Sequence, residues 1–421
     1  MRKTSHNIIY SFELVMKHVI TNLILVICTV SGWAQSITCQ IEGITTDTKT
    51  TKLYLVESGA DIRTQGNVIS ISVIDGKFSH TLKTDDMRCY ELIADNQYEE
   101  GSWTPAYFIS ENQKVYITMG GNKDKAITKG TGKETKMMQQ LNDELDAIYN
   151  PLFNAVDARR DSLDAILQKE VEGMDADARR AYIDDLLSGD SKNPHAAIRK
   201  QLEEDYEAVY MKRRIATVKW LEKHPCIYGL FEMKNSLSSH RAQTAPFTPY
   251  HISSYKNTYS KKYEGHPYHK SIQDALKSLD LVPGNKYIDY EVTHPDGKQV
   301  ALSSLFTGKV IYIDLWASWC GPCRKHAKAL IPIFEKYKDK GFQVIGIARE
   351  SAEEDMAKAL AKDGYPWISL LELNDKNQVW LKNGISNAGG GGFLIDEHGT
   401  ILSVYPEAEE TERILEKILV E

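Results

Sequence analysis

The most constraining feature is the pentapeptide Trp319-Cys320-Gly321-Pro322-Cys323, which lies between two segments of different periodicity. Ahead of it, residues 310–315 form a nearly continuous apolar run, as a strand buried on both faces requires. Behind it, residues 327–337 have helical spacing. Two cysteines at this spacing on a helix start can bond to each other. The first then sits where free backbone N–H groups and the helix dipole favour a thiolate. Pro322 suits the first helical turn, where its missing N–H costs nothing, and Gly321 permits the tight turn. Half of a zinc site and a static disulfide are the other readings. A zinc site wants a second Cys/His pair at suitable spacing, and none follows. The arrangement points to a redox-active dithiol.

The rest of the C-terminal region alternates in the same way. Strands are expected at 342–348 and 367–373, a helix at 353–362, paired strands at 393–396 and 400–405, and a closing helix at 411–420. The segment Tyr312-Ile-Asp-Leu-Trp-Ala-Ser-Trp-Cys-Gly-Pro-Cys-Arg-Lys325 resembles the active-site region of thioredoxin-like proteins. It is most similar to the exported thiol–disulfide oxidoreductases of the TlpA/ResA type, in the AhpC/TSA-like superfamily. Asp296-Gly-Lys-Gln-Val-Ala-Leu-Ser-Ser-Leu305 and Gly308-Lys-Val310 are similar to their lead-in hairpin, so the resemblance covers residues 282–421.

The resemblance implies an α/β thioredoxin-like domain, βαβ plus ββα with an inserted βα unit. It implies a redox-active disulfide and no other cofactor. Cys320 would be the attacking thiolate and Cys323 the resolving thiol. Asp314 matches the buried acid of thioredoxins; desolvation would raise its pKa and suit it to take a proton from Cys323. Trp319 would flank the dithiol and, with Gly321 and Pro322, offer a docking surface. The implied partners are periplasmic protein thiols and disulfides and a membrane dithiol electron donor, with a link to cytochrome c maturation.

Three positions depart from the family pattern. The cis-proline expected near Gly390 is absent, because the loop reads Asn387-Ala-Gly-Gly-Gly-Gly392. A more mobile loop is expected there, with docking through Gly390 and Gly391. Lys328 stands where the family often has a helix-kinking proline. His326 stands where these relatives usually have Glu, on the same helix face as Cys323, where it would modulate the thiolate. Cys320, Cys323 and His326 also read C-x-x-C-x-x-H, a set suited to Cu(I) or Zn, so a metal-binding or metal-delivery module is the rival reading. A thiol peroxidase-like antioxidant protein is another, but Ile313 and Ala317 occupy the positions where a peroxiredoxin has Pro and Thr.

The chain divides into a signal peptide at 1–35, a small β-sandwich domain at 36–126, an α-helical region at 127–281 and the thioredoxin-like domain at 282–421. Residues 19–30 are an apolar run of about a dozen, too short for a span of ~20 residues but suited to a signal-peptide core. Small residues permit a cut after Ala34, and translation starting at Met16 is the alternative start. An uncleaved leader would be the only membrane contact. Export implies the periplasm or cell envelope, where disulfides persist. The β-region resembles all-β domains ahead of thioredoxin-like domains of the Bacteroidetes type, through Cys39-Gln-Ile-Glu-Gly43 and Ile74-Asp-Gly-Lys-Phe78. Met138, Leu141, Leu145, Ile148 and Leu152 share a helix face, and a long helical hairpin is expected. His266 and His269 have an H-x-x-H spacing without a third ligand nearby. Cys39 and Cys89 are able to bridge or to stay as buried thiols, as is Cys226. With 51 Lys+Arg against 58 Asp+Glu, net −7, there is no basic footprint for nucleic acid.

Overall fold

Alternating burial organises the first domain. In β1 (Ile37–Thr45) and β7 (Gln113–Met119) every second side chain is buried, the signature of a sheet with one face on a core. The computed structural model describes residues 36–420 apart from 65–67, 122–124, 239–248, 386 and 388; the leader and Cys28 lie outside the described residues. With β2 (Lys52–Glu57), β3 (Ile69–Ser72), β4 (Lys77–Thr84), β5 (Cys89–Ala94), β6 (Ala106–Ile109) and β8 (Ile127–Gly130), these strands form two four-stranded sheets, ordered β4-β1-β7-β8 and β3-β2-β5-β6. Their inner faces share one core that includes Ile41, Leu55, Phe78, Phe108 and Ile117. Asp75 and Gly76 both have positive φ, the turn that an Asp-Gly pair favours between β-strands, and Ile74 and Lys77 exchange backbone hydrogen bonds across it. The sheet runs on past residue 126, because β8 pairs with β7 from Thr118 to Val115.

The helical region is a long antiparallel hairpin. Helix α1 (Lys133–Glu170) is followed by α2 (Ala176–Leu187), α3 (Ala196–Lys223), α4 (Ile227–Ser238) and α5 (Pro267–Ser278). The pairs Glu144–Trp220, Asp146–Arg213, Tyr149–Lys212 and Arg159–Asp205 run in opposite directions along α1 and α3. The expected stripe on α1 is buried only as far as Leu145. Ile148 and Leu152 are exposed, and burial resumes at Val156 and Leu163 against Leu202. There the hairpin has left the sheets, so one face no longer has a continuous partner. At its base, Cys89 and Ile109 of the sheets enter the same core as Leu141, Leu230, Tyr259 and Tyr268. The Cys89 amide donates to the Tyr268 hydroxyl at 3.0 Å. His266 caps α5 and bonds the Met87 carbonyl at 2.8 Å, while His269 bonds the Tyr255 hydroxyl at 2.8 Å. The two histidines thus serve separate structural contacts.

The C-terminal domain is a seven-stranded sheet ordered β10-β9-β13-β12-β11-β14-β15. Its strands are β9 (Glu291–Thr293), β10 (Gln299–Ala301), β11 (Val310–Trp316), β12 (Phe342–Glu350), β13 (Ile368–Leu373), β14 (Gly391–Asp396) and β15 (Ile401–Val404). Strands β11, β12 and β13 are parallel, and β14 joins β11 antiparallel. Every residue of β11 is buried. Val310 and Tyr312 face α6 (Gly321–Tyr337) and α9 (Ala408–Leu419), whereas Ile311, Ile313 and Leu315 face the opposite core, with α8 (Val379–Lys382). No helix among the described residues is long and apolar enough to cross a membrane.

Cys39, Cys89 and Cys226 are free and buried, each in an apolar cluster. Burial pushes the Cys39 thiol up to about 12 and Cys226 to about 11, and raises Cys89 as well. Such thiols stay protonated and unreactive. In a thiol-titration assay of the reduced folded protein, Cys320 and Cys323 are expected to react among the five cysteines of the described residues, and Cys39, Cys89 and Cys226 only on unfolding in denaturant.

Candidate functional site

The dithiol sits where β11 hands the chain to α6. Cys320 caps the helix: its Sγ lies 3.3 Å from the Cys323 amide, and Gly321 and Pro322 form the first turn. Cys320 and Cys323 are joined by a disulfide, with Cα atoms 5.4 Å apart. Cys320 is buried and Cys323 half-buried. Space above Gly321 is open, and its φ is not positive, so the turn itself does not demand glycine. The turn is held from two sides. Glu350, at the end of β12, accepts from the Ser318 amide at 2.5 Å and hydroxyl at 2.8 Å. Arg324 donates to the Ser318 carbonyl at 3.1 Å.

Arg324 also forms a forked pair with Asp363 at 2.6 and 2.9 Å, at the end of α7 (Glu353–Asp363). That fork holds the Asp363 carboxyl well below the usual carboxylate range. Lys328 joins it at 2.8 Å. The residue in place of a helix-kinking proline is therefore an ion-pair partner that ties α6 to α7. Glu350, Arg324 and Asp363 are not part of the dithiol motif. Their signal in the sequence is slight: Arg349-Glu350 ends an apolar strand, where polar side chains reach out of the sheet.

Asp314 shares a face of β11 with Tyr312 and Trp316 and so points to the side covered by α6. Cys323 packs against the cluster that contains Trp316. The Asp314 carboxyl is buried, and its Oδ2 has no hydrogen-bond partner among the described residues. Burial pushes its pKa up to about 7. An acid poised near neutrality on the strand that α6 packs against is suited to accept a proton from a thiol.

His326 corrects the expectation of a thiolate modulator. Its Nε2 lies 2.8 Å from the Tyr312 hydroxyl, and its Nδ1 lies 3.6 Å from a Glu407 carboxylate oxygen. Nε2 is engaged by the Tyr312 hydroxyl and Nδ1 lies within ion-pair range of Glu407, so the partners of His326 are those two residues rather than the cysteines. Burial lowers its pKa.

The glycine loop also differs from expectation. It is anchored, and its glycines answer to sterics rather than to unusual dihedrals. The Asn387 side chain accepts two bonds from Arg349 at 3.1 Å, and Trp380 donates to the Gly389 carbonyl at 2.7 Å. A Cβ on Gly390 would lie 1.8 Å from the Leu315 carbonyl oxygen and 3.0 Å from the Cys323 sulfur. Gly391 is pressed under the Tyr405 ring and Gly392 under the Tyr312 hydroxyl, each 2.2 Å from the position a Cβ would take. Gly390 therefore touches the dithiol, while Gly391 serves packing. A proline at 390 carries a Cβ and meets the same obstacle on this backbone path. Trp319, half-buried beside Cys320, is covered by an arginine from the first domain.

Comparison with known proteins places this geometry. Residues 280–419 match the family model described as Redoxin. The chain is 26% identical over 136 residues to "Thiol-disulfide oxidoreductase ResA" of Bacillus thuringiensis subsp. konkukian, spanning 32% of this chain and 76% of that protein. It is 32% identical over 119 residues to the protein of the same name in Bacillus anthracis, spanning 28% of this chain and 66% of that one. Among solved structures, a thiol:disulfide interchange protein from Bacteroides sp. is 26% identical with a TM-score of 0.31, covering 34% of this chain and 93% of that chain. The thioredoxin domain of a thiol-disulfide oxidoreductase from Bacteroides vulgatus is 27% identical with a TM-score of 0.30, covering 33% and 99%. Residues 280–419 are thus a thioredoxin-like domain of the TlpA/ResA type, and the chemistry is that of a thiol–disulfide oxidoreductase.

Two outcomes follow from the geometry. Gly390→Ala is expected to cost about 1–3 kcal/mol in urea denaturation, because a backbone carbonyl must move. Asp314→Asn tests the buried acid. With a folded pKa near 7 against 3.8 in the unfolded chain, the wild type loses stability as pH rises between these values. The variant should therefore be more stable than wild type at mildly alkaline pH, on the order of a few kcal/mol, and equal to it in acid. Melting temperatures across pH measure this.

Proposed function

We propose that this domain, as a TlpA/ResA-type oxidoreductase, reduces disulfides in proteins of the cell envelope. The observation that carries the reading is the Cys320–Cys323 disulfide at the N-terminus of a helix packed on the strand that holds a buried carboxyl with raised pKa. In the reduced protein, the Cys320 thiolate attacks one sulfur of the target disulfide and the other target sulfur leaves as thiolate. Cys323 gives its proton to Asp314 and attacks Cys320 Sγ. The mixed disulfide breaks, the target leaves with both thiols reduced, and Cys320–Cys323 carries away the loss of two electrons. A membrane dithiol donor would return them. The apolar run at 19–30 supports export, and cytochrome c maturation is one process that needs such a reductase. Trp319, Pro322 and Gly390 would form the docking rim.

The test is insulin-type disulfide reduction with a dithiol donor, together with a reduction potential measured by equilibration in a thiol buffer. Cys320→Ser is expected to bring turnover to background, whereas Cys323→Ser should accumulate a mixed disulfide that shifts mass by one target chain. Asp314→Asn is expected to slow the resolving step on the order of a hundredfold. Failure of the wild type to reduce any protein disulfide, or stoichiometric copper or zinc that is lost in His326→Ala, would refute the reading.

A further inference from the structure

One contact joins the β-rich domain to the rim of the dithiol. Residues 58–64, just after β2, lie against the C-terminal domain. The Arg63 guanidinium stands 3.7 Å from the centroid of the Trp319 ring, and its Nη2 donates to the Asn387 carbonyl. Trp319 precedes Cys320, and Asn387 begins the loop whose Gly390 touches Cys323. One side chain thus spans both shoulders of the disulfide.

Arg63 is held in place from behind. Asp61 accepts from its Nε and Nη2, both at 2.9 Å, and also from Arg349 Nη1 at 3.3 Å. Arg349 forks onto Asp375, with its Nε 2.6 Å from one carboxylate oxygen. Asp375 in turn accepts from the Thr64 hydroxyl at 3.2 Å. The charges alternate in a row: Asp375, Arg349, Asp61, Arg63. The side chains of the first three are at most 9% exposed, while that of Arg63 is 38% exposed. The inner cation lies between two carboxylates, so the row presents its positive end at the dithiol rim. Stacking on an indole and forked pairing fix the guanidinium before any partner arrives, which lowers the ordering cost of binding. With Nε and Nη2 committed to Asp61 and the Asn387 carbonyl, Nη1 is the edge of the guanidinium left to donate to a carboxylate of the target.

We propose that Arg63 is a specificity-determining residue of the oxidoreductase, selecting target proteins that carry an acidic residue beside the disulfide to be reduced. The docking rim is then built from two domains, with Trp319 and the glycine loop on one side and Arg63 on the other. This rests on the reductase reading above.

The test uses the full chain and two disulfide-bonded peptides identical except for Glu or Lys beside the cysteine. For the wild type, kcat/KM is expected to favour the Glu peptide by about tenfold, chiefly through KM, and the preference should shrink with added salt. Arg63→Gln should bring the ratio close to one, and Arg63→Lys should retain part of it. A structural role for Arg63 would slow both peptides in step and leave their ratio unchanged, which overturns the proposal. Equal turnover of the two peptides by the wild type overturns it alone. A wild type inert toward both overturns the reductase reading with it.

Discussion

Strand β11 is the member on which the rest of the site depends. It is buried on both faces, hydrogen-bonded to β12 on one edge and to β14 on the other. Its pleat sends Ile311, Ile313 and Leu315 into one core and Val310 and Tyr312 into the other. That fixed alternation delivers three consequences at once: a carboxyl whose pKa burial raises, a carbonyl at Leu315 against which Gly390 must lie flat, and a chain exit that becomes the capped start of α6. A strand free to slip by one residue would exchange its faces and lose all three together.

The parts of the structure legible in the sequence are those set by local pattern. The apolar run of β11, the Cys-Gly-Pro-Cys turn and the alternating strands of the C-terminal domain each declare themselves within a few residues. Asp314 was legible by its offset from Cys320. What escaped is set by partners distant in sequence. His326 lies on the helix face expected of it, yet its hydrogen bond goes to Tyr312 and its ion-pair partner is Glu407. The glycine loop reads as freedom in one dimension, whereas in space Leu315, Tyr312 and Tyr405 press on it from outside. The α1 stripe has the right period beyond Leu145 but no neighbour there to bury it. Residues 58–64 carry no motif; only the approach of Arg349 and Trp319 gives them a role.

The region ahead of the redox domain is not a chain of independent beads. Cys89 and Ile109 belong to the strands yet pack in the core formed by α1, α4 and α5. Tyr268 closes the seam by accepting from a backbone amide of β5. The sheets and the base of the helical hairpin therefore share one hydrophobic core. The buried Arg349 row, together with Leu381 packed on that core, ties the body to the third domain. Such pairs discriminate strongly between right and wrong alignment, because either partner left alone in a dry interface is costly.

The placement of the cysteines carries a consequence for how the protein is made. Five of them lie in the described residues, and in an unfolded chain all five are equivalent flexible thiols. Oxidation takes seconds to hours, whereas a small domain collapses far sooner. If the sheets and the helical base close first, Cys39, Cys89 and Cys226 are removed from chemistry by enclosure. Of these five, the pair at the head of α6 is then all that an oxidant can find. Selectivity among five identical functional groups is in this sense an outcome of a race, won by the folding of domains that contain no catalytic residue of their own.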